Sequence, residues 1–247
     1  MPFSPIDILA LCVFISAWYG YSVFARKKAK TTDCIARTLH QHRIHWMYEI
    51  IARDVRVSDA ALLANLERNI AFFASSTLLI LAGILTLFAQ VETLERVIAS
   101  LPFAVEVDHL AIQLKLGVLS LIFVISFFQF TWSMRQYGFV NVLIGSAPTA
   151  ENFSSDNEDL KEYAKEMATV QDQAAHSYNY GLRSYYFAIA EISWFIHPIL
   201  LMAVTFWVVY TLYTREFNSK AVRAIINAQR LLNQERHISK VKVTNGE

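Results

Sequence analysis

Between residues 179 and 214 the chain reads NYGLRSYYFAIAEISWFIHPILLMAVTFWVVYTLYT. An apolar run of this length leaves few choices. About 20 helical residues cross a hydrocarbon core of roughly 30 Å. Backbone groups in lipid must be satisfied within the element, which means helix. The run also carries the costliest polar residues of the chain, Glu191 and His197-Pro198, behind a tyrosine pair, Tyr185 and Tyr186.

Residues 6–24, 70–88 and 110–132 form three further runs of this kind, and 185–213 makes the fourth. Hydrophobic residues make up 55% and charged residues 17%, a balance that fits a membrane protein better than soluble domains. The expected fold is all-α: an integral membrane bundle of four transmembrane helices with amphipathic cytoplasmic helical extensions. Residues 1–220 would form the four-span unit and 221–247 a basic amphipathic tail. Two cysteines, Cys12 and Cys34, make no disulfide framework. The first run has no Lys or Arg ahead of it and a basic cluster behind it (Arg26, Lys27, Lys28, Lys30), the reverse of a secretory signal. It reads as a retained span.

Lys and Arg between spans set the orientation. Residues 25–69 hold nine, 89–109 one, 134–184 four and 215–247 seven. The contrast across the second span places 25–69 and 134–184 in the cytoplasm. The N-terminus, the short acidic loop and the tail then lie outside, and the basic tail is an objection to that arrangement.

The cytoplasmic segments read as helices. Ile35, Leu39, Trp46 and Ile50 recur at helical spacing, with Glu49 and Arg53 placed as an i,i+4 pair. Ser58 suits the cap of the helix entering the second span. After the third span an irregular stretch through Gly138, Gly145 and Pro148 is expected, then a capping box at Ser155–Glu158. From Leu160 to Leu182 the spacing predicts one long helix rising straight into the fourth span. The two segments carry opposite net charge, +4 against −3, which favours their packing together. The tail places Ala221, Ile225, Ala228 and Leu232 on one stripe, suited to a lipid surface or a partner.

Several residues invite a functional reading. Glu191 lies about six residues into the fourth span, where a carboxylate marks an ion or proton pathway or serves as interhelical glue. Arg183 lies two turns earlier on roughly the same face. Pro198 removes a helical hydrogen bond and frees the carbonyl of Trp194, so a kink beside His197 is expected, with gating or a simple buried contact as its use. Arg135, Gln136 and Tyr137 follow the third span. Arg135 and Arg183 fit snorkelling anchors within an aromatic belt of Trp132, Tyr185 and Tyr186, or else a paired-arginine site for a lipid phosphate. Lys115 reads as snorkelling. His40, His42 and His45 lack the spacing and companions of a metal set. Ser16 with Gly20, and Ala71 with Ser75, offer close helix approach. No catalytic signature is present, and nothing in the sequence calls for a metal or cofactor.

Taken together, FFASSTLLILAGILTLF (72–88), FTWSMRQYGFVNVLIGSAP (130–148), YNYGLRSYYFAIAEISWFIHP (178–198) and YTREFNSKA (213–221) resemble domain-of-unknown-function family 599, small bacterial membrane proteins with plant relatives. The resemblance implies a four-span protein of the bacterial inner membrane and no particular activity. It makes Arg135, Gln136, Tyr137, Arg183, Tyr185, Tyr186, His197 and Pro198 the best site candidates, with Glu191 at a more variable position. Three function classes follow. The first is a scaffold or accessory protein contacting membrane lipids, other membrane proteins or further copies of itself. The second is a small oligomeric channel or transporter using Glu191 and His197. A membrane enzyme comes third. Nucleic acid is not an expected partner.

Overall fold

The computed structural model describes residues 4–29, 31–100, 108–148 and 158–245, and those residues contain no strand. They form helices α1 (Pro5–Ala29), α2 (Ile35–Ala52), α3 (Val57–Ala89), α4 (Val91–Ala99), α5 (His109–Ser146), α6 (Glu158–Ile192), α7 (Pro198–Phe217) and α8 (Lys220–Asn245). A 3-10 turn, Ser193–Phe195, joins α6 to α7. Four stretches are long and apolar enough to cross a membrane: α1, α3, α5 and the one that begins with α7 at Pro198. By length and composition this is a multi-pass helical membrane protein.

Residues 185–213 are not one kinked span. The long helix α6 ends at Ile192, and the chain reverses. Arg183 meets Glu216 and Tyr186 meets Arg215, so α6 and α7 form an antiparallel hairpin. Pro198 is the first residue of α7 rather than a break inside a helix, and there its missing N–H costs nothing. His197 is the N-cap, with Nδ1 accepting from the N–H of Ile199 at 3.1 Å. A proline–cap pair reads locally as a kink; only the packing partners reveal a reversal.

The reversal relocates the tail. Helix α8 packs on α2, where His42 Nε2 lies 3.4 Å from the carbonyl of Ile225. The tail therefore starts from the same end of the bundle as segments 25–69 and 134–184, not the opposite end. The three segments together hold 20 of the 22 Lys and Arg residues, Arg96 and Lys115 being the others. This is the basic end; Asp7, Glu92 and Glu95 mark the acidic end.

Two hydrophobic cores are stacked along the bundle. One lies toward the acidic end, around Phe14, Ile122, Phe187, Trp194 and Leu201. The other lies at the basic end, around Met47, Ile51, Phe130, Val140 and Met167. Tyr185 touches both. It stands edge-on to Phe73, Phe123 and Phe130, and its hydroxyl meets Thr77 Oγ1 at 2.8 Å. It is an interior joint, not part of an interfacial belt.

Close packing of α5 on α6 rests on small residues. Ser126 donates to the carbonyl of Gly181 at 3.0 Å and Ser133 to that of Ala174 at 2.7 Å. Such contacts are worth about 0.6 kcal/mol each in membrane bundles. A Cβ on Gly181 would lie 2.5 Å from the Phe130 ring, so glycine is required there. Ser16 and Gly20, by contrast, are exposed on α1, with no atom within 4 Å of the position of a Gly20 Cβ. Ser75 is exposed too, and the neighbouring Ala74 is the buried residue.

At the basic end α5 continues as helix through Gly138 and Gly145 to Ser146, where an irregular stretch was expected. The capping box at Ser155 falls outside the described residues. Helix α3 starts at Val57, so Ser58 sits in its first turn, and Arg56 is the N-cap residue. The Arg56 guanidinium donates to the carbonyls of Ile144 (3.1 Å), Ala147 (3.3 Å) and Ile51 (3.4 Å), and its Nε to Ile50 (3.0 Å). One cation thus satisfies the C-terminal carbonyls of both α2 and α5. Arg53 reaches buried Asp59 at 3.0 Å instead of Glu49, because Asp59 already accepts from Trp46 Nε1 at 2.7 Å and draws the guanidinium inward.

Candidate functional site

Besides the Arg53–Asp59 pair, two groups of charged residues lie inside the bundle among the described residues. The first surrounds a cleft of about 220 Å³ between α2, α6 and α7 at the basic end. Arg183 donates to Glu216 at 2.7 Å, and the Tyr21 hydroxyl donates to the same carboxylate at 3.1 Å. Three helices, α1, α6 and α7, are thereby clamped on one carboxylate. Arg183 also lies over the rings of Tyr21 (5.4 Å) and Tyr180 (5.5 Å), a cation–π sandwich. Arg215 donates to the Tyr186 hydroxyl at 2.6 Å.

Deeper in the cleft Asp172 gathers Arg43, His176 (3.3 Å) and His40 (3.6 Å), tying α2 to α6. Burial pushes its carboxyl upward. The His176 hydrogen bond and the Arg43 guanidinium outweigh that and hold it below the ordinary aspartate value of 3.8.

The second group lies at the hairpin turn, toward the acidic end. Glu191 is 0% exposed, and neither carboxylate oxygen has a hydrogen-bond partner among the described residues. Lys115, 2% exposed, donates from Nζ to the carbonyl of Trp194 at 2.8 Å. That carbonyl is the one Pro198 leaves without a helical donor. The ammonium also lies 5.2 Å from the centre of the Trp194 ring, and Trp194 Nε1 donates to Asp7 at 2.8 Å. Lys115 therefore does not snorkel; it fastens the hairpin turn to α5, and Asp7 fastens it to α1.

The other sequence candidates scatter. Arg135 is exposed over Phe139 at 5.9 Å, while Arg183 is committed to Glu216, so no paired-arginine site forms between them. Gln136 is buried and accepts from Ser177 Oγ at 3.0 Å, and Tyr137 is in the basic-end core. His40 faces Asp172 while His42 faces α8, and no group of three metal-type ligands occurs among the described residues. Sequence reading missed Glu216, Asp172, Asp7 and Arg56 as organising residues. For Glu216 a signal was present: a lone acid just after an apolar run, with Arg183 needing a counter-charge.

No curated protein and no solved structure matches the chain. The family model described as "Protein of unknown function, DUF599" matches residues 9–221, which take in the hairpin, the Arg183–Glu216 and Asp172 sites, Lys115 and Glu191, and the start of α8. With most of its length covered by that one family model, from α1 through the Arg183–Glu216 clamp, the chain belongs to the DUF599 family.

Proposed function

We propose that the protein is a non-conducting accessory or scaffold component of a bacterial inner membrane, with its basic end facing the cytoplasm and contacting lipids or other membrane proteins. One observation carries this reading: the basic end has a hydrophobic core of its own, assembled from α2, the start of α3 and the basic-end halves of α5 and α6. A pore needs only the helices that line it. Here a second core continues past the apolar runs to Met47, Val140 and Met167, with α8 laid against α2. The positive-inside tendency supports the orientation.

A small oligomeric channel would need Glu191 and His197 on an axis shared between copies. Glu191 is instead enclosed by its own chain, and the His197 ring is engaged in capping α7. Ion and proton flux into proteoliposomes holding the purified protein tests the proposal. No flux above empty liposomes is expected, from the wild type or from Glu191→Gln and His197→Ala. Wild-type flux that either substitution abolishes would overturn it.

A further inference from the structure

A lateral groove of about 670 Å³ runs along α1, with α5 as its other wall and Tyr180 and Ser184 of α6 at its floor. Its α1 wall is built by Ile15, Trp18, Tyr19, Val23, Arg26 and Lys27. These fall three or four residues apart on one helix face. Their span of 12 residues is about 18 Å at 1.5 Å per residue, close to half of a core of roughly 30 Å. Ile125 and Gln129 stand opposite. The groove is thus one leaflet long, apolar in the layer of lipid tails and cationic where headgroups lie.

Its cations pair with no acid among the described residues. Arg26 Nε donates to the Tyr180 hydroxyl at 3.0 Å, and neighbouring Lys28 donates to that of Tyr213 at 2.8 Å. Both acceptors are neutral phenols. Lys27 is exposed and pairs with no carboxylate among the described residues. Partway along the wall, the half-buried Gln129 amide makes no side-chain hydrogen bond among the described residues. A ligand that answers all of this has an apolar chain, a polar linkage at mid-depth and a negative charge at one end.

We infer that this groove holds one anionic phospholipid, its phosphate between Arg26 and Lys27, its ester region at Gln129 and an acyl chain along Ile15, Trp18 and Val23. The inference deepens the accessory-protein reading, on which it rests, by naming a lipid as the partner. A surface lysine contributes about a fivefold preference for an anionic headgroup.

Native mass spectrometry of the full chain, exchanged into detergent with dioleoyl phosphatidylglycerol or dioleoyl phosphatidylcholine, tests it. One phosphatidylglycerol per chain is expected, held at least about fivefold better than phosphatidylcholine. Lys27→Glu is expected to cut phosphatidylglycerol retention about tenfold or more while leaving the Tm and phosphatidylcholine retention unchanged. Ile125→Trp, which fills the groove, lowers retention of both lipids. Equal retention of the two lipids by the wild type overturns the inference. So does unaltered retention in Lys27→Glu, or displacement by millimolar inorganic phosphate as effective as by lipid. Disulfide crosslinking of two copies through Tyr19→Cys, without bound lipid, assigns the groove to a second chain and overturns it as well. Flux on the same preparation separates the two readings. Loss of lipid preference without flux removes this inference alone, whereas flux abolished by Glu191→Gln removes the accessory reading whatever the lipid result.

Discussion

The cleft between α2, α6 and α7 and the groove beside α1 are both lined with cations at the basic end, yet they treat those cations differently. In the cleft Arg183 has Glu216 and Arg43 has Asp172, while the exposed Arg215 at its edge rests on the Tyr186 phenol. In the groove, among the described residues, Arg26 meets the Tyr180 phenol and Lys27 pairs with no acid. Tyr180 stands between the two, with Arg183 at 5.5 Å and Arg26 at 5.4 Å from its ring. A carboxylate neutralises a guanidinium and makes it a strut. A phenol orients the cation and leaves its charge available. Two arginines beside one tyrosine ring thus serve different ends, Arg183 cohesion and Arg26 reception.

Substitutions can break or sharpen that contrast. The largest effect is expected from Glu216→Gln, which leaves the nearly buried Arg183 without its counter-charge. Breaking such a pair costs about 2–4 kcal/mol, a fall on the order of 5–10 °C in the Tm of the detergent-solubilised chain. An unchanged Tm would remove the clamp from the account. Asp172→Asn is expected to cost about 1–2 kcal/mol, less because two of its partners, His40 and His176, are a third to a half exposed.

The pH dependence of Asp172 has a definite sign. Its carboxyl is held below 3.8 in the folded state, so the stability it gives is fully present above that value. That stability is lost as pH falls through the lowered native value. Wild type and Asp172→Asn should therefore differ in Tm at neutral pH and converge in acid below 3.8; a gap that persists there would show that the residue acts through packing. The smallest effect is expected from Lys27→Gln, within about 0.5 kcal/mol, as for an ordinary surface position. A drop of several degrees would make Lys27 a strut after all and erase the distinction.

Much of the fold was legible because lipid imposes simple rules. The apolar lengths of α1, α3 and α5 follow from hydrocarbon thickness, and α2 follows from the spacing of Ile35, Leu39, Trp46 and Ile50. The hairpin was hidden because residues 185–213 are apolar throughout: the end of α6 and the whole of α7 merge into one run. His197-Pro198 fits a kink or a helix start equally well, and the choice is made by Lys115, which is 79 residues from Trp194 in sequence. The site was harder still. By sequence Arg183 and Tyr185 read as interfacial anchors. Their roles depend on Glu216, 33 residues away, and on Phe73, 112 residues away, and no local spacing encodes either. Lys115 and Arg135 both resemble snorkelling cations by position along α5; only the turn packed over Lys115 separates them.

The hairpin has a consequence for how the chain is laid into a bilayer during synthesis. The end of α6 is not among the stretches apolar enough to cross unaided, and it carries Glu191. A carboxylate in a spanning helix opposes its insertion, by about 2.5–3.5 kcal/mol at the helix centre and by less near the end, where Glu191 stands. The apolar α7 follows after only a short turn, so the two enter as a unit and the second carries the first. Both ends of that unit stay on the side from which it entered. With the basic end cytoplasmic, as proposed, the seven cations of residues 215–247 never have to be translocated.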